Sequence, residues 1–155
     1  MSQLPPYPPL NLPEAALQMV GEKGQWEVFD PIRRRLVALT PEEWVRQHMI
    51  AFLQKERGVP LHLMGVEVSV KVHRLSRRCD LIIYGSGLKP LMVVELKAPS
   101  VALSQKVLDQ VVRYNLPIGA QYLLISNGLR HYCLKLGPEI RVLDRVPGYV
   151  DMQGE

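Results

Sequence analysis

Two short apolar runs, each with an acid at one end, constrain this chain more than any other feature. Asp80-Leu81-Ile82-Ile83-Tyr84 starts on its acid, and Leu91-Met92-Val93-Val94-Glu95 ends on one. Between them lies Gly85-Ser86-Gly87-Leu88-Lys89-Pro90, a run of loop formers. Short apolar runs bounded by glycine and proline read as strands, so the segment is predicted to be an antiparallel hairpin. Symmetric pairing sets Tyr84 opposite Leu91, Ile82 opposite Val93 and Asp80 opposite Glu95. Directly opposite residues share a face, with Cβ atoms about 4.5–5.5 Å apart. Lys97, two residues past Glu95, points the same way. Two carboxylates and an ammonium thus converge at one end of an otherwise apolar hairpin.

Like charges directly opposite one another destabilise a sheet. Lys97 can offset this as an ion pair, or both acids can fray into water at the strand ends. A divalent cation is the third solution. Two carboxylates suit Mg²⁺, with Mn²⁺ as a substitute, because such an ion keeps several waters and also takes phosphate oxygens. A lysine beside it can hold or help deprotonate an attacking water.

The rest of the chain supplies helices to cover such a sheet. Trp26-Glu27-Val28-Phe29 and Leu36-Val37-Ala38-Leu39 flank Asp30-Pro31, a hairpin signal. Thr40, Pro41 and Glu43 form an N-cap, first-turn proline and capping box, with Val45, Met49, Phe52 and Leu53 at helical spacing and Gly58 as the stop. Val66, Val68, Val70 and Val72 alternate with polar residues, which is strand period. Residues 100–115 return to helical spacing, with Leu103, Val107, Val111 and Tyr114 on one stripe. Tyr122-Leu123-Leu124-Ile125 and Leu129 to Leu136 bracket Asn127-Gly128, a strong hairpin signal. The order predicts one mixed sheet in an α/β or α+β arrangement.

A length of 155 residues suits one domain. Its 47% hydrophobic and 22% charged content excludes general disorder, a collagen-like chain and a coiled coil. Five of the first thirteen residues are proline, so that stretch is expected as an extended arm. No apolar run approaches the ~18 residues of a membrane span. The start, MSQLPPYPPL, has neither a basic region nor an apolar core of a signal peptide. Cys79 and Cys133 form no CxxC and show no local sign of an activated nucleophile. The expectation is a cytoplasmic protein with reduced thiols and no membrane partner. Net charge is +4 and the pI near 9.2, which permits a polyanionic partner. The four histidines show no metal-ligand spacing. Arg33-Arg34-Arg35 and Arg74, Arg77, Arg78 are basic clusters, solvated faces by default.

Asp80, fourteen residues and then Glu95-Leu96-Lys97 resembles the PD-(D/E)XK nuclease signature. The resemblance extends over successive blocks: Thr40-Pro41-Glu42-Glu43-Trp44-Val45-Arg46-Gln47, Arg78-Cys79-Asp80, Val94-Glu95-Leu96-Lys97-Ala98-Pro99, Asp109-Gln110-Val111-Val112-Arg113-Tyr114-Asn115 and Ser126-Asn127-Gly128. In that order they are similar to the N-terminal domain of type I restriction enzyme R subunits, in its stand-alone bacterial version, over about residues 25–136. Cys79 stands where the motif usually has proline. The chain has no GxxxxGK[ST] phosphate loop, so it is not expected to pump DNA by itself.

The resemblance implies a restriction-endonuclease-like α/β core: a central mixed sheet flanked by helices, with an added N-terminal β-hairpin. The expected organisation is a proline-rich arm at 1–24, the nuclease-like domain at 25–136 and a C-terminal extension at 137–155. The implied function is Mg²⁺-dependent hydrolysis of phosphodiester bonds in nucleic acid, DNA before RNA, in restriction or DNA processing. Asp80, Glu95 and the Leu96 carbonyl are the implied metal ligands, and Lys97 the catalytic lysine. Glu43 is the implied helix acid, with Glu42 as fallback, although the capping box explains Glu43 without chemistry. Gln110 is implied beside the metal and Tyr114 behind it. Arg33, Arg34, Arg78 and Tyr114 are the expected nucleic-acid contacts. A homodimer or a targeting protein is left open as a further partner. The alternative is a catalytically silent nucleic-acid-binding or protein-interaction module of the same fold.

Overall fold

Thr40 opens the first long helix through its own side chain: its hydroxyl accepts the Glu43 amide at 3.0 Å, and Pro41 occupies the first turn. This helix, α1 (Pro41–Arg57), ends at Gly58 with a φ of 69°, a conformation that favours glycine. In a computed structural model that describes residues 5–22 and 24–154, it lies against a six-stranded sheet. Residues 1–4 of the proline arm, Lys23 and Glu155 lie outside the described residues.

The large sheet runs β4 (Met64–Val72), β5 (Leu75–Tyr84), β6 (Pro90–Leu96), β7 (Tyr122–Ser126), β8 (His131–Lys135), β9 (Arg141–Leu143) in spatial order. Every neighbouring pair is antiparallel except β6–β7, which is parallel. A parallel pair needs a crossover, and helix α2 (Gln105–Asn115) supplies it. One core lies under α1, where Val45, Met49 and Leu53 meet Leu81, Ile83, Val94 and Leu124. The other lies under α2, where Val111 meets Ile82, Val93, Leu123 and Ile125. A separate antiparallel sheet of β1 (Met19–Glu22), β2 (Gln25–Asp30) and β3 (Arg35–Ala38) precedes α1. This is the expected mixed sheet flanked by helices. The expected N-terminal hairpin is β2–β3, extended by β1 from the end of the arm.

The hairpin register holds at its centre. Leu81 pairs Val94, Ile82 pairs Val93 and Ile83 pairs Met92, but Tyr84 then shifts to Pro90 instead of Leu91. Leu91 and Met92 both enter the α1-side core. Regular alternation forbids that for adjacent residues, and the bulge permits it. Helix α2 starts at Gln105, later than predicted, because Ser104 caps it by accepting the Val107 amide at 3.3 Å. Leu103 is buried ahead of the helix. Asn127 keeps its side chain on the Leu129 and Arg130 amides, so the β7–β8 connection spans residues 127–130 and β8 begins at His131. The segment 137–155 contributes edge strand β9 and helix α3 (Tyr149–Gln153). Tyr149 and Met152 are buried in the α1-side core, and the Tyr149 hydroxyl donates to the Tyr84 carbonyl at 2.8 Å.

The described part of the proline arm lies on the body. Tyr7 donates to the Leu39 carbonyl at 2.6 Å, Trp44 Nε1 to the Pro8 carbonyl at 3.0 Å, and the Asn11 amide to the Gly128 carbonyl at 2.8 Å. Among the described residues no helix is long and apolar enough to cross a membrane.

Gly128 has a φ of 86°, and a Cβ there would come within 2.7 Å of Leu10 and 3.1 Å of Val45. Gly128→Ala is expected to cost about 1–3 kcal/mol through left-handed strain and overpacking. Urea unfolding measures the loss, and limited proteolysis should show faster cleavage within residues 5–12. An unchanged midpoint would mean that the arm does not rest on this turn.

Candidate active site

The pairing of β5 with β6 ends at Leu81 and Val94, and the next contact is made by a side chain. Asp80 Oδ2 accepts the Leu96 amide at 2.8 Å, where a strand carbonyl would otherwise stand. On the other side of β6 the Lys97 amide donates to the Ser126 carbonyl at 2.9 Å. The N–H and C=O of one strand residue point to the same side. The Leu96 carbonyl is therefore turned towards the edge on which Asp80 lies.

Asp80 sits where two strands change faces together. Cys79 and Ile82 lie in the α2-side core, while Leu81 lies in the α1-side core. On β4, Val66 packs with the α1 side and Val68 with the α2 side. Glu67 between them has a φ of 53°, left-handed and costly for a glutamate. Arg46, buried on α1, supports this irregularity. It donates to the Asp80 carbonyl at 3.0 Å and lies 3.5 Å from Glu67 Oε1 and 3.0 Å from Glu43 Oε2.

An open cleft of about 610 Å³ lies between the strand ends and α2, lined by Glu42, Arg78, Asp80, Glu95, Lys97, Val101, Val107, Gln110, Val111 and Tyr114. It thus gathers Asp80, Glu95, Lys97, Gln110, Tyr114 and Arg78 of the predicted site residues. Lys97 Nζ lies 3.4 Å from Glu95 Oε1. Burial, followed by the charge of Asp80, pushes the Glu95 carboxyl up to about 7, with Lys97 pulling the other way. Burial, then Glu95 and Asp80, pushes the neighbouring Cys79 thiol up to about 11. A thiol held neutral is a poor nucleophile.

Tyr114 is 40% exposed, not a core residue. Its hydroxyl accepts the Arg78 amide at 3.0 Å, its carbonyl accepts Arg77 Nε at 2.9 Å, and the Arg77 guanidinium stacks 4.6 Å from its ring centre. The tyrosine ties β5 to the end of α2 at the cleft wall.

Three predicted residues lie elsewhere. The Glu43 carboxylate is buried and engaged by Arg33 Nη2 at 2.6 Å, Gln47 at 3.0 Å and Arg46. Thr40 caps the helix, and the Glu43 side chain turns to these partners. Its neighbour Glu42 is the exposed acid that lines the cleft. Arg33 divides its guanidinium between Asp30 and Glu43, each at 2.6 Å. Arg34 is exposed with a φ of 57°, and neither arginine lines the cleft. Arg46 and Glu67 were not singled out in the sequence. A cation three residues after Glu43, between Val45 and Met49 on the core stripe, was the available sign for Arg46. Glu67 gave none, since an acid on a strand's polar face is ordinary.

Residues 41–147, more than half of the chain, match the family described as Type I restriction enzyme R protein N terminus (HSDR_N). The chain belongs to this family. A comparison with curated proteins finds no match. The fold is similar to that of a protein from Anabaena variabilis ATCC 29413 described as "a putative nuclease belonging to DUF820", with a TM-score of 0.51, 11% identity and 87% of each chain covered. At that identity the likeness concerns the fold. The family match begins at the first residue of α1, so the β1–β3 sheet precedes it.

The donor set of this family member suits a hard divalent cation. Among the described residues no three His, Cys, Asp or Glu side chains are gathered to hold a metal. Two carboxylates and a backbone carbonyl are present instead, all oxygen donors, which leaves room for the waters that Mg²⁺ retains. The raised Glu95 carboxyl marks an acid that is buried beside Asp80 and that Lys97 only partly offsets.

Metal-free stability should depend on pH through Glu95. Its carboxyl titrates near 7 when folded, against an ordinary 4.5. Between those values the folded chain holds the extra proton, so stability falls as pH rises through that window. Glu95→Gln should flatten this part of the melting-temperature profile in EDTA. Asp80→Asn keeps an acceptor for the Leu96 amide and removes the like charge. It should raise the melting temperature at pH 8 by several degrees, since each kcal/mol is worth about 2–4 °C in a domain of this size. A profile unaltered by Glu95→Gln would show that neither burial nor Asp80 raises this carboxyl.

Proposed function

We propose that this chain is a divalent-metal-dependent nuclease that hydrolyses phosphodiester bonds of DNA. The observation that carries the reading is the meeting of Asp80, Glu95 and Lys97 in one cleft, with the Glu95 carboxyl raised by burial and then by Asp80. Family membership supports it. Asp80, Glu95 and the Leu96 carbonyl would hold Mg²⁺, or Mn²⁺ in its place. Such an ion polarises a phosphoryl oxygen and lowers the pKa of a bound water.

The chain's own residues do the rest. The Lys97 side chain is 33% exposed at the cleft, where its ammonium can hold an attacking water or a phosphate oxygen. Glu42 faces the cleft from the first turn of α1 and takes the place expected of Glu43. Glu43 acts as a positioning residue, because it reaches the site only through Arg46. Gln110 lines the opposite wall on α2 and orients the water or the sugar–phosphate. Arg78 and the exposed Arg34 serve as phosphate contacts. Cleavage by in-line attack leaves a 3′-hydroxyl and a 5′-phosphate. The two free, buried thiols, Cys79 and Cys133, suit a reducing cytoplasm.

A panel of duplex DNA, single-stranded DNA and RNA, each with Mg²⁺, Mn²⁺ or EDTA, tests this. Cutting should need metal. Lys97→Ala should slow it ~10²–10⁴-fold, the usual contribution of a positioned proton-transfer group. Millimolar Mg²⁺ or Mn²⁺ should raise the parent's melting temperature by mass action and leave that of Asp80→Asn unmoved. Cutting that persists in EDTA, or at parental rate in Lys97→Ala, would make this fold a binding module.

A further inference from the structure

Strand β5 outruns β6. Its pairing with β6 begins at Leu81, while its pairing with β4 runs on through Cys79, Arg78, Arg77 and Ser76 to Leu75. Residues 68–79 are therefore a two-stranded ribbon that stands past the catalytic end of the central sheet. A two-residue turn, His73-Arg74, closes it, with His73 at a φ of 56°.

The ribbon's faces differ. Val70 opposite Arg77 and Val72 opposite Leu75 make one face; Ser69 opposite Arg78 and Lys71 opposite Ser76 make the other. The first leans on the body. Val68 and Val70 pack with the α2-side core, and Arg77 stacks on Tyr114. The second is exposed at all four residues, and it begins in the cleft, which Arg78 lines. Lys71, Arg74, Arg77 and Arg78 give the ribbon four fixed positive charges, and from Val68 to Cys79 there is no acid and no Phe, Tyr or Trp, only the single imidazole of His73 at the turn. Glu67, at its base, pairs with Arg78 at 2.9 Å.

We propose that this ribbon is a duplex-DNA arm that lies in the major groove and sets the backbone of one strand across the cleft. Charge selects a polyanion, and shape selects the duplex. A B-DNA major groove, about 12 Å wide, admits a two-stranded ribbon, whereas a minor groove of about 6 Å does not. The major groove of A-form RNA is too deep and narrow. Single strands are held by rows of aromatic platforms, which the ribbon lacks. The two serines among the cations are groups that can meet base edges as well as phosphates. This inference rests on the nuclease reading for what happens to the DNA, but not for the binding itself.

Binding in EDTA keeps the two apart. Fluorescence anisotropy would compare a labelled DNA duplex of about two helical turns with its single strand and with duplex RNA of the same sequence, over a range of salt. The DNA duplex should bind tightest. Lys71→Ala with Arg74→Ala, both exposed, should leave the melting temperature unchanged and weaken duplex binding roughly tenfold or more, with the slope of log K against log salt shallower by about 0.9 per lost contact. Lys71→Arg with Arg74→Lys should restore the parental slope. Duplex RNA or single-stranded DNA bound as tightly as duplex DNA would overturn the proposal. So would an alanine pair with parental affinity and slope. A protein that fails the Lys97 cleavage test yet shows the duplex preference retains the arm and loses the nuclease. One that cuts, with a salt slope indifferent to Lys71 and Arg74, retains the nuclease and loses the arm.

Discussion

The hydrogen bond from the Leu96 amide to Asp80 Oδ2 is the point on which the site turns. It closes the β5–β6 pair where the backbone ladder has ended, so β5 leaves its neighbour without an unpaired amide on β6. The same bond fixes the Asp80 carboxylate at the strand edge and turns the Leu96 carbonyl beside it. An acid used in place of a backbone acceptor is aimed by the sheet itself, with less side-chain freedom than a carboxylate on a loop. The departure of β5 also frees its far half to pair with β4 alone.

The cost of this geometry is carried by a line of alternating charges beneath it. Asp30, Arg33, Glu43, Arg46, Glu67 and Arg78 follow one another at ion-pair distance, from the β2–β3 turn across α1 to the ribbon base. Burial would raise the Asp30 and Glu67 carboxyls, yet their arginine partners hold both below the ordinary carboxylate value. Buried ion pairs are weak evidence of stability, because desolvation opposes the attraction. Their contribution here is register. Arg46 binds the carbonyl of Asp80 and the side chain of the strained Glu67 at once, which sets the shared change of face on β4 and β5. Glu95 lies outside this line. With Asp80 as well as Lys97 beside it, its charge is only partly offset.

The parts of this arrangement that depend on local rules were legible in the sequence. The pairs Leu81–Val94 and Ile82–Val93 followed from run length and loop chemistry, and the meeting of Asp80, Glu95 and Lys97 from strand alternation. The helix start at Thr40 followed from its cap. What was not legible depends on which core a residue joins. The bulge at Leu91 exists because two adjacent residues face the same core, and no alternation rule anticipates that. The strand and helix after residue 136 carry weak local signals: three residues of β9 and five of α3 are held by contacts with β8 and with Tyr84. Arg33 reads as a surface cation in a basic triplet, and only the fold brings Asp30 and Glu43 to it.

Glu42 and Glu43 show the limit most sharply. Successive helix residues are rotated by about 100°, so neighbouring acids in a first turn cannot face the same way. Thr40 at the cap fixes the helix start but not its rotation about its own axis. That rotation is set by Val45, Met49 and Leu53, which must face the sheet. Once they do, Glu43 is directed inward to Arg33 and Arg46, and Glu42 is left at the cleft. An acid so surrounded by cations is already compensated, whereas Glu42 adds negative charge to a cleft that already holds Asp80 and Glu95. Until a cation is bound there, a cleft with three carboxylates against Lys97 and Arg78 repels the polyanion it is proposed to cut. Cations beyond the cleft must therefore supply the attraction, and the ribbon leading away from Arg78 is where the fold puts them.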